Sequence, residues 1–193
     1  LNKNFLVPHL NGIPYHHKPP LLFWIINFIW SFTEVNSLTA RIVSPLFGLG
    51  TIVLTLFASK ILWPNSEKIR TMVPWVMLGS VLFTVTCTLS MFDTLISFFT
   101  VFAIIGVILV YRSIFTNYNL RVYIYGLIVC SLSIGFGVLS KGPVIFVFIL
   151  PTILFGPMFF NKVIKNFLLK LLFWYFGFII SIFVGSIIFL SWA

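Results

Sequence analysis

The sequence predicts an all-α integral membrane protein, a bundle of about six transmembrane helices preceded by one short interfacial or re-entrant helix. Three observations predict it. Hydrophobic residues make up 60% of the 193-residue chain and charged residues only 8%; with a mean hydropathy of +1.13, this is more apolar surface than a soluble domain of this size needs. Apolar runs long enough to cross a bilayer recur along the chain, and short polar stretches separate them. The few charges gather in those separators. The chain reads as a single domain over 1–193, divided into an outer loop (1–18), an interfacial helix (19–33) and transmembrane helices (42–193), with no repeat and no low-complexity linker.

Residues 1–18 form a polar loop with turn chemistry at Asn11-Gly12 and Ile13-Pro14. Two histidines and a lysine then stand directly before paired prolines, in His16-His17-Lys18-Pro19-Pro20. Proline is well tolerated in the first turn of a helix and biases the residue before it towards extended backbone. Lys18 is therefore expected in extended backbone at the membrane surface, its side chain free. Leu21–Phe32 is apolar but too short to span, since crossing takes about twenty residues. Asn27, Ser31 and Glu34 fall at i, i+4 and i+7 and give it one polar stripe, which suits an interfacial or re-entrant helix.

Six longer segments follow: Ile42–Trp63, Met72–Met91, Thr94–Tyr111, Val122–Leu139, Val144–Phe160 and Leu171–Trp192. Each is long enough to cross the hydrocarbon core, the shorter ones with some tilt or thinning. Their internal prolines (Pro45, Pro74, Pro151, Pro157) are ordinary in membrane helices. If the short first segment does not span, one side receives Lys60, Lys68, Arg70, Arg112, Arg121, Lys162, Lys165 and Lys170. The positive-inside rule makes that side cytoplasmic. The opposite side, facing outward, receives Lys18, Glu34, Arg41, Asp93 and Lys141.

The net charge of +9 is explained by these loops rather than by nucleic-acid binding. Cys87 and Cys130 fall inside apolar helices, where cysteine acts as a small hydrophobe. Among residues able to carry chemistry, Lys18 is flanked by histidines and prolines that pin it, against the alternative of a lysine snorkelling at the interface. Asp93 lies between two uncharged spans; it is a candidate functional carboxylate, with the N-cap of the segment starting at Thr94 as the plainer reading, and both roles can hold. Ser80, Thr84 and Thr88 make a polar stripe at i, i+4, i+8 that points towards it from the preceding helix, favouring a place in the bundle interior. Gly126, Cys130, Ser133 and Gly137 make a small-residue stripe, which lets another helix approach closely. That stripe runs to Lys141, where Gly142-Pro143 breaks the helix and leaves an ammonium suited to an anion, with snorkelling again the competitor. His16 and His17, with Glu34 or a residue outside this sequence completing the shell, are candidate ligands for a divalent metal; exposed imidazoles are the plainer reading. No HExxH, GxSxG, P-loop or CxxC occurs.

Several of these stretches, in order, resemble one known family. Val7-Pro8-His9-Leu10-Asn11-Gly12 and His17-Lys18-Pro19-Pro20-Leu21-Leu22-Phe23-Trp24 resemble the first outer loop of the polytopic GT-C glycosyltransferases, of the lipid A aminoarabinose transferase and dolichyl-phosphate-mannose protein mannosyltransferase type. Thr39-Ala40-Arg41-Ile42-Val43-Ser44, Met91-Phe92-Asp93-Thr94 and Leu139-Ser140-Lys141-Gly142-Pro143 continue the match in order. The resemblance implies a partial GT-C fold and transfer of a sugar from a polyprenyl-phosphate donor to a lipid A, glycan or protein acceptor. Transfer would occur at the outer face of a bacterial inner membrane. It also implies that Lys18 meets the donor phosphate and that Asp93 and Lys141 line the same cavity, where Lys141 is expected to bind the phosphate as well.

Two departures qualify this expectation. The family usually has a glutamate before the lysine, where this chain has His17, which weakens the metal reading. The family's principal catalytic acid lies upstream of the position matched by Leu1, so the chain is expected to be an N-terminal-half fragment, inactive alone. The alternative reading is a non-catalytic membrane scaffold, lipid-binding protein or transporter bundle. Transporters, however, typically show inverted repeats and charges near the midplane, whereas the charges here sit at helix ends.

Overall fold

The computed structural model describes residues 9–10, 13–14, 18–89, 92–116, 118–159 and 166–192, with 9–10, 13–14 and 159 described by backbone alone. Two short strands, β1 (His9–Leu10) and β2 (Ile13–Pro14), pair antiparallel, His9 opposite Pro14 and Leu10 opposite Ile13. The turn residues Asn11 and Gly12 between them lie outside the described residues. Helices then follow: α1 (Leu21–Trp30), α2 (Ser37–Leu62), α3 (Glu67–Gly79), α4 (Val81–Thr88), α5 (Phe92–Phe115), α6 (Leu120–Lys141), α7 (Val144–Phe155), a 3-10 turn over Gly156–Phe159, and α8 (Phe167–Leu190).

The all-α membrane class holds, but the number of plain spans does not. Among the described residues, α2, α5, α6 and α8 are the single helices long and apolar enough to cross a membrane, with mean hydropathies of 1.9 to 2.5 in their best windows. The run expected as one span over Met72–Met91 is α3 and α4, bent by 66°. A hydropathy window is blind to this break at Gly79-Ser80. There the Ser80 backbone leaves the helical region, with φ −76° and ψ 107°, and its hydroxyl caps α4 by accepting from the Phe83 N–H at 3.5 Å. The run expected over Val144–Phe160 is a 12-residue helix followed by the 3-10 turn.

The order of legs nevertheless follows from the packing. Helix α5 lies parallel to α2, since Phe98 stacks edge-on against Phe47 near their starts and Arg112 donates to the Ile61 carbonyl near their ends. The bent α3–α4 pair must therefore return the chain from one end of the bundle to the other. Helix α6 runs antiparallel to α5 and parallel to α8, the Tyr123 hydroxyl donating to the Phe173 carbonyl at one end and Ile188 covering Gly135 towards the other. It follows that α7 and its 3-10 turn also cross the thickness of the bundle, although shorter than the other legs. Buried Trp174 secures this leg, donating Nε1–H to the Ile153 carbonyl at 2.9 Å.

The predicted small-residue stripe on α6 is buried at all four positions. It works as expected against α5: a Cβ on Gly126 would lie 2.9 Å from the Gly106 carbonyl oxygen, and one on Gly106 would lie 2.8 Å from the Gly126 carbonyl oxygen. Cys130 Sγ donates to the Ala103 carbonyl at 3.5 Å across the same contact. A second face of α6 received no notice from the sequence. Ser131 and Gly135 meet α8, where the Ser181 hydroxyl bonds the Leu127 carbonyl and a Cβ on Gly185 would lie 2.9 Å from the Ser131 carbonyl oxygen. By contrast, the Ser80, Thr84 and Thr88 stripe is exposed, not interior. The Thr84 and Thr88 hydroxyls bond the Leu78 and Val85 carbonyls and point nothing at Asp93.

The α1 segment is a 10-residue helix with Leu21 and Leu22 buried in the core. The expected polar stripe does not extend along it, because Ser31 is already the C-cap and Glu34 lies in the following loop. Trp30 ties that loop down, its Nε1–H reaching the Thr39 hydroxyl at 2.8 Å.

The α5–α6 approach makes a stability prediction. Gly126→Ala should cost about 1–3 kcal/mol, because the methyl must push two backbones apart. Gly79→Ala, where an added Cβ meets nothing within 4 Å, should change stability by less than about 1 kcal/mol. Reversible unfolding in mixed micelles measures both; equal effects would mean the close approach carries no weight.

Candidate functional site

The parallel and antiparallel legs bring the start of α5, the end of α6 and the end of α8 to one end of the bundle. Lys18, Asp93 and Lys141 all lie there. Pro20 is the N-cap of α1, in helical backbone at φ −84°, and Lys18 occupies the bend before it. Its side chain is exposed but not idle: Nζ lies 4.6 Å above the Phe92 ring, close enough for attraction to the ring face. The expectation of a free side chain is corrected by this contact. Lys18 also borders a cleft of 480 Å³ shaped by Gly142 and Pro143 after α6 and by Phe189 and Trp192 of the α8 end.

Asp93 is in the first turn of α5, which begins at Phe92. It is therefore not the N-cap of a helix starting at Thr94; the helix begins earlier than expected. A carboxylate in a first turn is favoured by the unpaired N–H groups and by the helix dipole. Lys141, at the last turn of α6, is placed as favourably for a cation. The two side chains meet in an ion pair, Lys141 Nζ to Asp93 Oδ1, with 40% and 48% of their surfaces still exposed. The lysine expected to meet a phosphate thus meets a carboxylate. Gly142 permits the turn that follows, since its φ of 74° is a conformation side chains resist.

The pair borders a second cleft, of 280 Å³, between α5 and α7, along which Ser97 and Thr100 continue the Asp93 face at i+4 and i+7. The Ser97 hydroxyl bonds the Asp93 carbonyl at 2.7 Å, while Thr100 Oγ1 is buried with no hydrogen-bond partner among the described residues. The structure therefore brings the three predicted groups to one end but divides them between two neighbouring clefts, with the Gly142-Pro143 turn beside both.

Of the three metal candidates, only Glu34 lies among the described residues. Glu34 is exposed in the loop between α1 and α2. No group of three or more His, Cys, Asp or Glu side chains suited to a metal exists among the described residues. His16 and His17 lie outside the described residues.

Sequence reasoning missed Phe92 as the ring beneath Lys18, although it stands directly beside Asp93 in the chain. It also missed Phe189 and Trp192, for which an uncharged apolar span offers no signal.

The fold is of the polytopic GT-C class. The crystal structure of ArnT from Cupriavidus metallidurans in the apo state superposes with a TM-score of 0.77, covering 99% of this chain and 33% of that one at 15% sequence identity. Within that class the sequence is similar to the undecaprenyl phosphate-alpha-4-amino-4-deoxy-L-arabinose arabinosyl transferase of Wigglesworthia glossinidia brevipalpis, 32% identical over 142 residues. That match covers 73% of this chain and 24% of the relative, so the chain spans about a quarter of the relative's length. No family model matches. The resemblance read from the ordered motifs is borne out by both sequence and fold.

Because both partners are about half exposed, the Asp93–Lys141 pair should add little to stability. A double-mutant cycle of Asp93→Asn and Lys141→Met, read by unfolding in micelles, should return a coupling of about 0–1 kcal/mol. A coupling several times larger would show that the pair is desolvated by something beyond these helices.

Proposed function

We propose that this chain forms the donor-facing part of a membrane glycosyltransferase that moves a sugar from a polyprenyl phosphate to an acceptor at the outer face of a bacterial inner membrane. The relative's name supports undecaprenyl phosphate as carrier and aminoarabinose as sugar. Of the two branches the motifs resemble, the relative's sugar matches the lipid A aminoarabinose transferases, which supports lipid A as acceptor over a glycan or protein. The observation that carries the reading is the exposed Lys18 ammonium, braced on the Phe92 ring at the edge of a 480 Å³ cleft.

The chemistry fits that placement. Cleaving a sugar–phosphate bond leaves the negative charge on the phosphate, and a fixed ammonium stabilises that charge as it develops. Lys18 has no carboxylate partner among the described residues, so its charge is available for this task. Asp93 sits one residue beyond the ring that supports Lys18. With Oδ1 engaged by Lys141, its other oxygen is open to accept a proton from an acceptor hydroxyl. Lys141 in this reading orients the carboxylate and reaches the donor phosphate only by leaving it. Glu34 belongs to no group of three or more metal-ligating side chains among the described residues.

Lys18→Ala in the full-length protein should lower transfer from undecaprenyl-phosphate aminoarabinose to lipid A by about 10²–10³-fold while membrane insertion is unchanged. Undiminished turnover would sink the phosphate-binding role. The orientation is tested separately in a background lacking Cys87 and Cys130. An impermeant maleimide should label Thr33→Cys in intact cells, and Tyr118→Cys only after the membrane is opened. The reverse pattern would place Lys18 on the cytoplasmic side and remove the proposed geometry.

A further inference from the structure

The opposite end of the bundle carries a second feature that the transfer reading does not use. Helices α2 and α7 both pack on α5 and leave between them a groove of 540 Å³. Its floor is Val107, Ile108 and Tyr111 of α5, and its walls include Leu62 of α2 and Phe155 of α7. The groove stays open because α7 gives way to the 3-10 turn at Gly156, against which the Trp174 ring is laid; a Cβ on Gly156 would lie 2.8 Å from Trp174 Cζ2. Trp174 is held in turn by its bond to the Ile153 carbonyl.

Arg112 lies at the rim, in the last turn of α5. It is exposed, and one N–H donates at 3.1 Å to the Ile61 carbonyl at the end of α2. Guanidinium has five N–H donors in a planar fork that matches phosphate, so this bond orients it and leaves donors for an anion. The surroundings share its sign. Lys60, Lys68, Arg70, Arg121 and Lys170 lie on segments at this end, and the one acid there among the described residues, Glu67, stands 3.9 Å from Arg70. An apolar trough along the helices, capped by a cation at the membrane surface, has the two-part chemistry of a phospholipid. A soluble phosphate would use only the rim, and an uncharged helix only the trough.

We infer that this groove binds an anionic phospholipid of the surrounding bilayer, with an acyl chain between α2 and α7 and the phosphate on Arg112. Basic pockets between membrane helices bind acidic head groups for this reason, each cation near the surface contributing about 1 kcal/mol. The inference rests on the membrane reading and is independent of the transfer reaction.

Native mass spectrometry of the full chain, titrated with phosphatidylglycerol, with phosphatidylcholine of the same acyl chains, and with inorganic phosphate, tests it. Phosphatidylglycerol should be retained roughly fivefold better than phosphatidylcholine, and inorganic phosphate not at all. Arg112→Gln should erase the preference. Thr152→Trp, which fills the groove from an exposed position on α7 and alters no charge, should remove retention of both lipids. Lys68→Gln with Arg70→Gln, on α3 and outside the groove lining, should leave the preference in place. Equal retention of the two lipids by the unmodified chain would overturn the inference, as would a preference that survives both Arg112→Gln and Thr152→Trp. Loss in the α3 variant matching that in Arg112→Gln would assign the effect to diffuse charge and overturn the site. A dimer that excludes lipid and is broken by Thr152→Trp would assign the groove to a second copy instead.

Discussion

Everything at the two ends of this bundle depends on how closely α5 and α6 approach. Gly106 and Gly126 face each other with each backbone oxygen where the other's side chain would stand, and Cys130 reaches across to the Ala103 carbonyl. In a bilayer no hydrophobic force draws helices together, because lipid is as apolar as the side chains; van der Waals contact and short-range polar contact must do it. Two helices in such contact cannot slide. The turn between them is tied as well, the Ser113 hydroxyl donating to the Asn119 carbonyl at 2.7 Å and the Asn119 side chain capping α6. With register set near the middle and at one end, the other end has no freedom, and Asp93 is delivered to Lys141.

The same logic turns the protein inside out relative to a soluble one. Phe176, Ile179 and Phe183 on α8 are more than 60% exposed, as lipid-facing side chains are, whereas Ser133, Ser140 and Ser181 are fully buried. Ser181 bonds the Leu127 carbonyl across to α6, but the other two need no partner on another helix. Ser133 and Ser140 bond carbonyls three or four residues back on their own helix, and small size is what earns them the interior. Helix α6, with small residues on one face for α5 and on another for α8, is the strut both neighbours are built on.

Much of this was readable in the sequence, and what was missed has common causes. Hydropathy found the order of legs, and the split of basic residues between ends followed from it without any geometry. The Gly126–Gly137 stripe was found because its consequence is local: small residues at helical spacing permit approach whatever comes against them. The bend at Ser80 and the shortness of α7 escaped because a hydropathy window sums composition and ignores backbone direction. Asp93 and Lys141 were singled out separately, but their pairing links residues 48 apart and depends on the α5–α6 register. The groove beside Arg112 is a space between helices, and no residue type announces a space.

The site shows why identical side chains at one end need not do identical work. Lys18 and Lys141 both stand at breaks marked by proline, and both looked like anion receptors. The fold gives Lys141 a carboxylate and Lys18 an aromatic face. A half-exposed ion pair contributes little energy but fixes direction, so Lys141 is better suited to orienting Asp93 than to capturing phosphate. An aromatic ring attracts an ammonium without neutralising it, so Lys18 keeps a full charge while its long side chain is steadied. Phe92 and Asp93 are consecutive at the start of one helix, which means that a single helix start holds the cation by its ring and presents the carboxylate beside it. On the proposed transfer reading, donor charge and acceptor proton would then be met at one helix start, whose place in the bundle is set by the α5–α6 contact.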